Sequence, residues 1–144
     1  MTKELGVGIL GCGNISATYF SLSPMFKGIK VLACADINPA AAKARAEEYG
    51  VIAQSVDELF ANDEIDVVVN LTIPAAHFEM SRRALEAGKH VYSEKPLVLS
   101  VDEGKDLGRL AAEKGSPSVV RRIRSWAAPT SAPANTSMRA GLAV

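Results

Sequence analysis

Directly after the apolar run LGVGIL (5–10), and directly before a helix-like stretch, the sequence reads GCGNIS, residues 11–16. Gly11 suits a tight turn, and Gly13 has no Cβ to obstruct an approaching anion. The helix that follows would point its free N–H groups at that anion. This arrangement suits the pyrophosphate of a dinucleotide. Ser16 stands at the third glycine position of the G-x-G-x-x-G pattern and is small enough for close helix–strand packing. Asp36 ends the next apolar run, 20 residues after Ser16, where an acid accepts hydrogen bonds from an adenosine ribose. Its alternative role is to help cap the next helix. With Ile37 behind it and no Arg or Lys before Lys43, Asp36 would repel a 2′-phosphate, so the expected cofactor is NAD rather than NADP. Thr72, Pro74 and His77, in NLTIPAAH, would surround the nicotinamide half, and His77 fits a packing or helix-surface role equally well. In YSEKPL, Lys95 follows a buried-type run and precedes a proline, where the reacting ring should lie. The alternative is an ordinary surface lysine in a strand-to-helix loop.

Period and punctuation place the elements that must hold these residues. Strands are expected at 5–10, 29–35, 51–54, 66–71 and 90–94, and helices at 14–25, 38–50, 55–63, 75–88 and 100–115. Asn38 caps, Pro39 takes a first helical position, and Gly50 ends that helix. Ser55 and Glu58 form a capping-box pair. The nearly continuous β-branched run DVVVNL predicts a central strand covered on both faces. Alternation of strands with helices implies an α/β, doubly wound, Rossmann-like parallel sheet of about five strands, ordered 3-2-1-4-5, with ligands at the carboxyl ends of the strands.

The composition, 48% hydrophobic and 22% charged in 144 residues, is that of one ordinary globular domain and excludes disorder of the whole chain. No apolar run approaches the roughly 18 residues of a membrane span, and MTKELGVGILGCG makes a poor signal peptide. A cytoplasmic protein is expected, with no membrane or nucleic-acid partner and no metal. Cys12 and Cys34 lie in apolar runs and read as buried, reduced thiols.

Taken in order, GILGCGNIS, ADINPA and above all AGKHVYSEKPL resemble the N-terminal domain of the glucose-fructose oxidoreductase, inositol dehydrogenase and rhizopine-catabolism (Gfo/Idh/MocA) family, over residues 4 to about 115. The resemblance implies that Gly11, Gly13, Asn14 and Ile15 line the pyrophosphate turn and that Asp36 holds the adenosine ribose. It implies that Lys95 contacts the nicotinamide ribose and the substrate hydroxyl as a catalytic group supporting proton movement. Pro96 would follow a cis peptide bond, and Glu94 would orient Lys95 or contact the cofactor. The implied reaction is hydride transfer between the nicotinamide and a sugar or polyol-type secondary alcohol.

In that family the principal acid/base pair, a D-x-x-x-H arrangement, lies on a second domain that also forms the substrate pocket. No such domain is expected within these 144 residues, so a sugar or polyol would bind only where one is supplied. The expected division is a dinucleotide-binding domain over 1–115 and an irregular tail over 116–144. All 16 acids precede residue 115, whereas the last 30 residues carry four Arg and no acid. That tail reads as a basic partner-binding segment, as a low-complexity terminus, or, the favoured reading, as sequence translated out of frame after the loss of one base at Gly115. Read back with GC-rich codons, the adjacent frame would encode an apolar strand, a turn and an amphipathic helix. The competing functional class is a stand-alone nucleotide-binding or partner-binding module without catalysis.

Overall fold

The structure is a computed structural model and describes residues 3–115 and 119–120. Its elements are β1 (Leu5–Leu10), α1 (Asn14–Leu22), β2 (Ile29–Ala35), α2 (Pro39–Tyr49), β3 (Ile52–Gln54), α3 (Val56–Ala61), β4 (Val67–Asn70), α4 (Pro74–Glu86), β5 (His90–Ser93), α5 (Val101–Glu113) and β6 (Val119–Val120). All strand pairs are parallel, in the order β3-β2-β1-β4-β5-β6. The first five strands follow the expected order 3-2-1-4-5.

Helix ends obey local chemistry. The Asn38 side chain accepts the Ala40 N–H at 3.1 Å, and Gly50, at φ 68°, closes α2. Ser55 with Glu58, and Ser100 with Glu103, form reciprocal capping boxes at α3 and α5. The first helix stops at Leu22, short of the expected residue 25, and a 3-10 turn, Ser23–Met25, carries Pro24.

Two expectations need correction. No strand was expected after residue 115, yet Val119 and Val120 pair with Tyr92 and Ser93. Two β-branched residues emerging from the α5 crossover land beside β5 and extend the sheet. The rest of the expected tail, and the frame reading, lie outside the described residues.

The second correction concerns β4. Val68 is fully buried in a core layer built with Leu59, Phe60, Ile65, Leu85 and Leu107, on the side of α3, α4 and α5. On the opposite side the layer of Ile9, Phe20, Cys34, Ala42 and Ala46 belongs to α1 and α2, which lie over β1 and β2. Val67 and Val69 are only half-buried. With Tyr92 they floor an open apolar trough of about 700 Å³, walled by Tyr19, Leu22 and Phe26. The run is β-branched throughout, but its second face is only partly covered: Val69 packs against the α1 and α2 layer, while the trough leaves Val67 and Val69 half-buried.

Candidate functional site

β1 ends by passing Gly11 across the end of β4. The Gly11 N–H donates to the Ala35 carbonyl at 2.8 Å, and a Cβ at Gly11 would lie 2.7 Å from the Leu71 carbonyl carbon and oxygen. At φ 98° the residue also occupies a conformation that side chains resist. Gly11 is thus required by the neighbouring backbone. Gly13 differs, since a Cβ there would meet nothing within 4 Å. It is the N-cap of α1 and contributes no side-chain cap, so the first-turn N–H groups of Asn14 and Ile15 open onto the same space. Ser16 is wholly buried, and its hydroxyl donates to the Gly13 carbonyl at 2.6 Å, fixing the turn from beneath.

Asp36 joins this turn to the end of β2. One carboxylate oxygen accepts the Cys12 N–H at 2.7 Å and the other accepts the Asn38 N–H at 2.8 Å. Capping of α2 falls to Asn38, whose side chain accepts the Ala40 N–H. Cys12 and Cys34 are buried and unbridged. Contact with the Cys34 thiol, burial and the Asp36 charge all push the Cys12 thiol above its ordinary range. Arg45 was missed by reading along the chain, because only the packing of α2 brings it to the turn. Its guanidinium pairs with Glu48 at 2.6 Å and lies 3.5 Å from the Gly13 carbonyl.

The end of β4 is organised by Asn70, another residue the sequence reading passed over; an amide closing a valine run was the available signal. Asn70 is fully buried. Its amide donates to the His77 carbonyl at 3.1 Å and to the Ser81 hydroxyl at 3.0 Å, and its oxygen accepts the Thr72 N–H and hydroxyl at 3.2 and 2.6 Å. Thr72 is half-buried and Pro74 exposed at the start of α4, where no side chain caps the helix. His77, expected beside the nicotinamide, instead turns inward and is 1% exposed. One ring nitrogen faces the Thr72 carbonyl at 2.6 Å and the other faces the Pro96 carbonyl, so both are occupied by backbone.

Beyond β5, the Glu94 N–H donates to the Asn70 carbonyl at 3.1 Å. The Glu94 carboxylate accepts the Tyr19 hydroxyl on one oxygen and the Lys95 N–H, at 3.3 Å, on the other. Burial first, then the contact with Glu94, raises the Tyr19 phenol above its ordinary range. Lys95 and Pro96 are exposed, and the bond between them is cis. The structure therefore gathers Gly11, Gly13, Asn14, Ile15 and Asp36 around one turn, and Thr72, Glu94, Lys95 and Pro96 around the ends of β4 and β5. Ile37 and Ile73, 95% and 69% exposed, stand on the loops after β2 and β4.

Comparison with known proteins bears on the family and the fold. Residues 5–121 match the profile described as the oxidoreductase family with an NAD-binding Rossmann fold, GFO_IDH_MocA. The chain is 34% identical over 95 residues to inositol 2-dehydrogenase of Rhizobium meliloti, covering 66% of this chain and 29% of that protein. Among solved structures it is similar to biliverdin reductase of Synechocystis in complex with biliverdin and NADP+, with TM-score 0.73 and 33% identity over 79% of this chain and 36% of that one. It is also similar to GenD2 from gentamicin A biosynthesis in complex with NAD, with TM-score 0.76 and 27% identity over 83% and 34% of the two chains. The chain spans about a third of the length of the curated relatives it matches.

Proposed function

The chain belongs to the oxidoreductase family with the NAD-binding Rossmann fold, and from that premise we propose that its strand ends form the dinucleotide site of an enzyme oxidising or reducing a sugar or polyol-type secondary alcohol. The observation that carries this reading is the open space above Gly13, at an uncapped helix N-terminus, beside an anchored carboxylate.

In this reading the N–H groups of Asn14 and Ile15 donate to the pyrophosphate, and the helix dipole favours its charge. Each oxygen of Asp36 spends one lone pair on backbone and keeps another for a ribose hydroxyl. A carboxylate at this place would repel a 2′-phosphate, so Asp36 favours NAD over NADP. Ile37 and Ile73 offer apolar contact to the adenine. Thr72, Pro74 and Glu94 border the nicotinamide half, and the exposed Lys95 binds the substrate hydroxyl and passes on its proton. When bound, the nicotinamide supplies the two-electron acceptor or donor for the carbinol carbon. The principal acid/base pair and the substrate pocket come from a second domain, as the resemblance implies.

Calorimetric titration with NAD and NADP tests the reading. Micromolar binding of NAD, weaker binding of NADP, and loss of NAD binding in Gly13→Val support it. Absence of binding to either dinucleotide by a folded chain overturns it.

A further inference from the structure

We infer that His77 is a positioning residue for Lys95, clamping the segment after β5 to the end of β4 without itself touching cofactor or substrate. What the clamp serves rests on the proposed dinucleotide site; the clamp itself does not.

The ring is 1% exposed and spans two backbone carbonyls, that of Thr72 at 2.6 Å and that of Pro96. Carbonyl oxygens only accept and a neutral imidazole carries one N–H, so one of the two carbonyls takes the ring's hydrogen bond while the other lies against the opposite nitrogen, and neither nitrogen faces open space. The carbonyl of His77 accepts from Asn70, whose side-chain oxygen holds both polar groups of Thr72 and whose own carbonyl holds the Glu94 N–H. Asn70 and His77 thereby gather Thr72, Glu94 and Pro96 around one buried polar cluster. Lys95 lies between the two anchored points, Glu94 on one side and the Pro96 carbonyl on the other. Its own N–H goes to the adjacent Glu94 carboxylate and gives no further tie to the sheet. Leu97 and Val98 hold the segment downstream by packing against the core. Upstream of them, His77 and Asn70 fix the backbone on either side of Lys95, and the Glu94 carboxylate adds a tie to Tyr19. A phenyl ring at 77 would fill the space and leave the accepting carbonyl without its donor.

Hydrogen exchange on the ligand-free chain tests the clamp. In His77→Phe, exchange at the Glu94 and Lys95 amides should accelerate roughly tenfold or more, the loss of about one hydrogen bond, while Ile9 and Val68 keep their protection. In His77→Gln, which retains one donor amide, the acceleration should be partial. Unchanged rates at Glu94 and Lys95, or an equal rise at Ile9 and Val68, overturn the proposal. Should the Phe variant fail to fold, the same comparison in the Gln variant decides.

A second arm compares NAD with ADP-ribose, which lacks the nicotinamide. The clamp predicts NAD affinity reduced about tenfold with ADP-ribose held within about twofold, whereas equal losses overturn it. If the unsubstituted chain binds neither, the dinucleotide reading falls and exchange still judges the clamp.

Discussion

Asp36 and Cys12 are joined through one hydrogen bond of 2.7 Å from the Cys12 N–H to the carboxylate, so the acid after β2 and the turn after β1 form a single unit. Replacing the acid should therefore cost stability as well as affinity. Asp36→Ala is expected to lower unfolding free energy by about 1–3 kcal/mol, read by urea denaturation. Asp36→Asn should weaken NAD about tenfold in calorimetry and narrow its advantage over NADP. Unaltered stability in the alanine variant would show that the bond does not anchor the turn.

The two turn glycines should behave oppositely. Gly11→Ala forces a Cβ to within 2.7 Å of Leu71 backbone at positive φ, and about 1–3 kcal/mol or more of destabilisation is expected. Gly13→Ala meets nothing, so its stability should stay within about 1 kcal/mol of the parent, the usual scale of an N-cap exchange. Its NAD affinity should nonetheless fall, because the methyl group enters the proposed pyrophosphate space. Thermal melts paired with titrations separate the two effects.

Lys95 is exposed, and Lys95→Ala should leave stability within about 0.5 kcal/mol. In a protein where the substrate domain is supplied, the same change should lower turnover by about 10²–10⁴-fold, the usual range for a lost proton-transfer group. Turnover at the parental rate would remove Lys95 from the chemistry.

Acid should weaken the fold through Asp66. The Gly6 N–H, at 2.8 Å, is the first cause holding this carboxyl below its ordinary range, with Lys3 adding to it. A folded-state value below the unfolded one contributes stability above the unfolded value, near pH 4, and that contribution is lost as pH falls through the folded value. Urea midpoints measured between pH 7 and pH 2 should show this decline, and Asp66→Asn should flatten it.

At the alkaline end, burial first and then Glu94 raise the Tyr19 phenol above its ordinary range, so it should ionise late. Its contribution to stability is fully present below the unfolded value, near pH 10, and is lost as pH rises through the folded one. Near-ultraviolet titration of Tyr19→Phe should lack the late step; its persistence would assign that step elsewhere.

Much of this architecture was readable from residues close together in the chain. The cap at Asn38, the stop at Gly50 and the box of Ser55 with Glu58 each follow from contacts within a few residues, and the strand order follows from alternation with helices. The unread features depend on distant pairs. Tyr19 meets Glu94 across 75 residues, Arg45 reaches Gly13 across 32, and the direction of His77 is set by Pro96, 19 residues on. Periodicity cannot report such meetings. Nor could it show that the second face of β4 is only partly covered, since a valine has the same strand propensity over a trough as over a core.

That trough has a calorimetric consequence. Heat-capacity change on unfolding follows the apolar surface newly exposed to water, and Val67, Val69 and Tyr92 already meet water in the folded described residues. The increment per residue should fall below the usual ~12–15 cal/mol/K, giving a shallower, broader stability curve than the same sheet would have with the trough covered. Filling the trough, by whatever means, should steepen that curve.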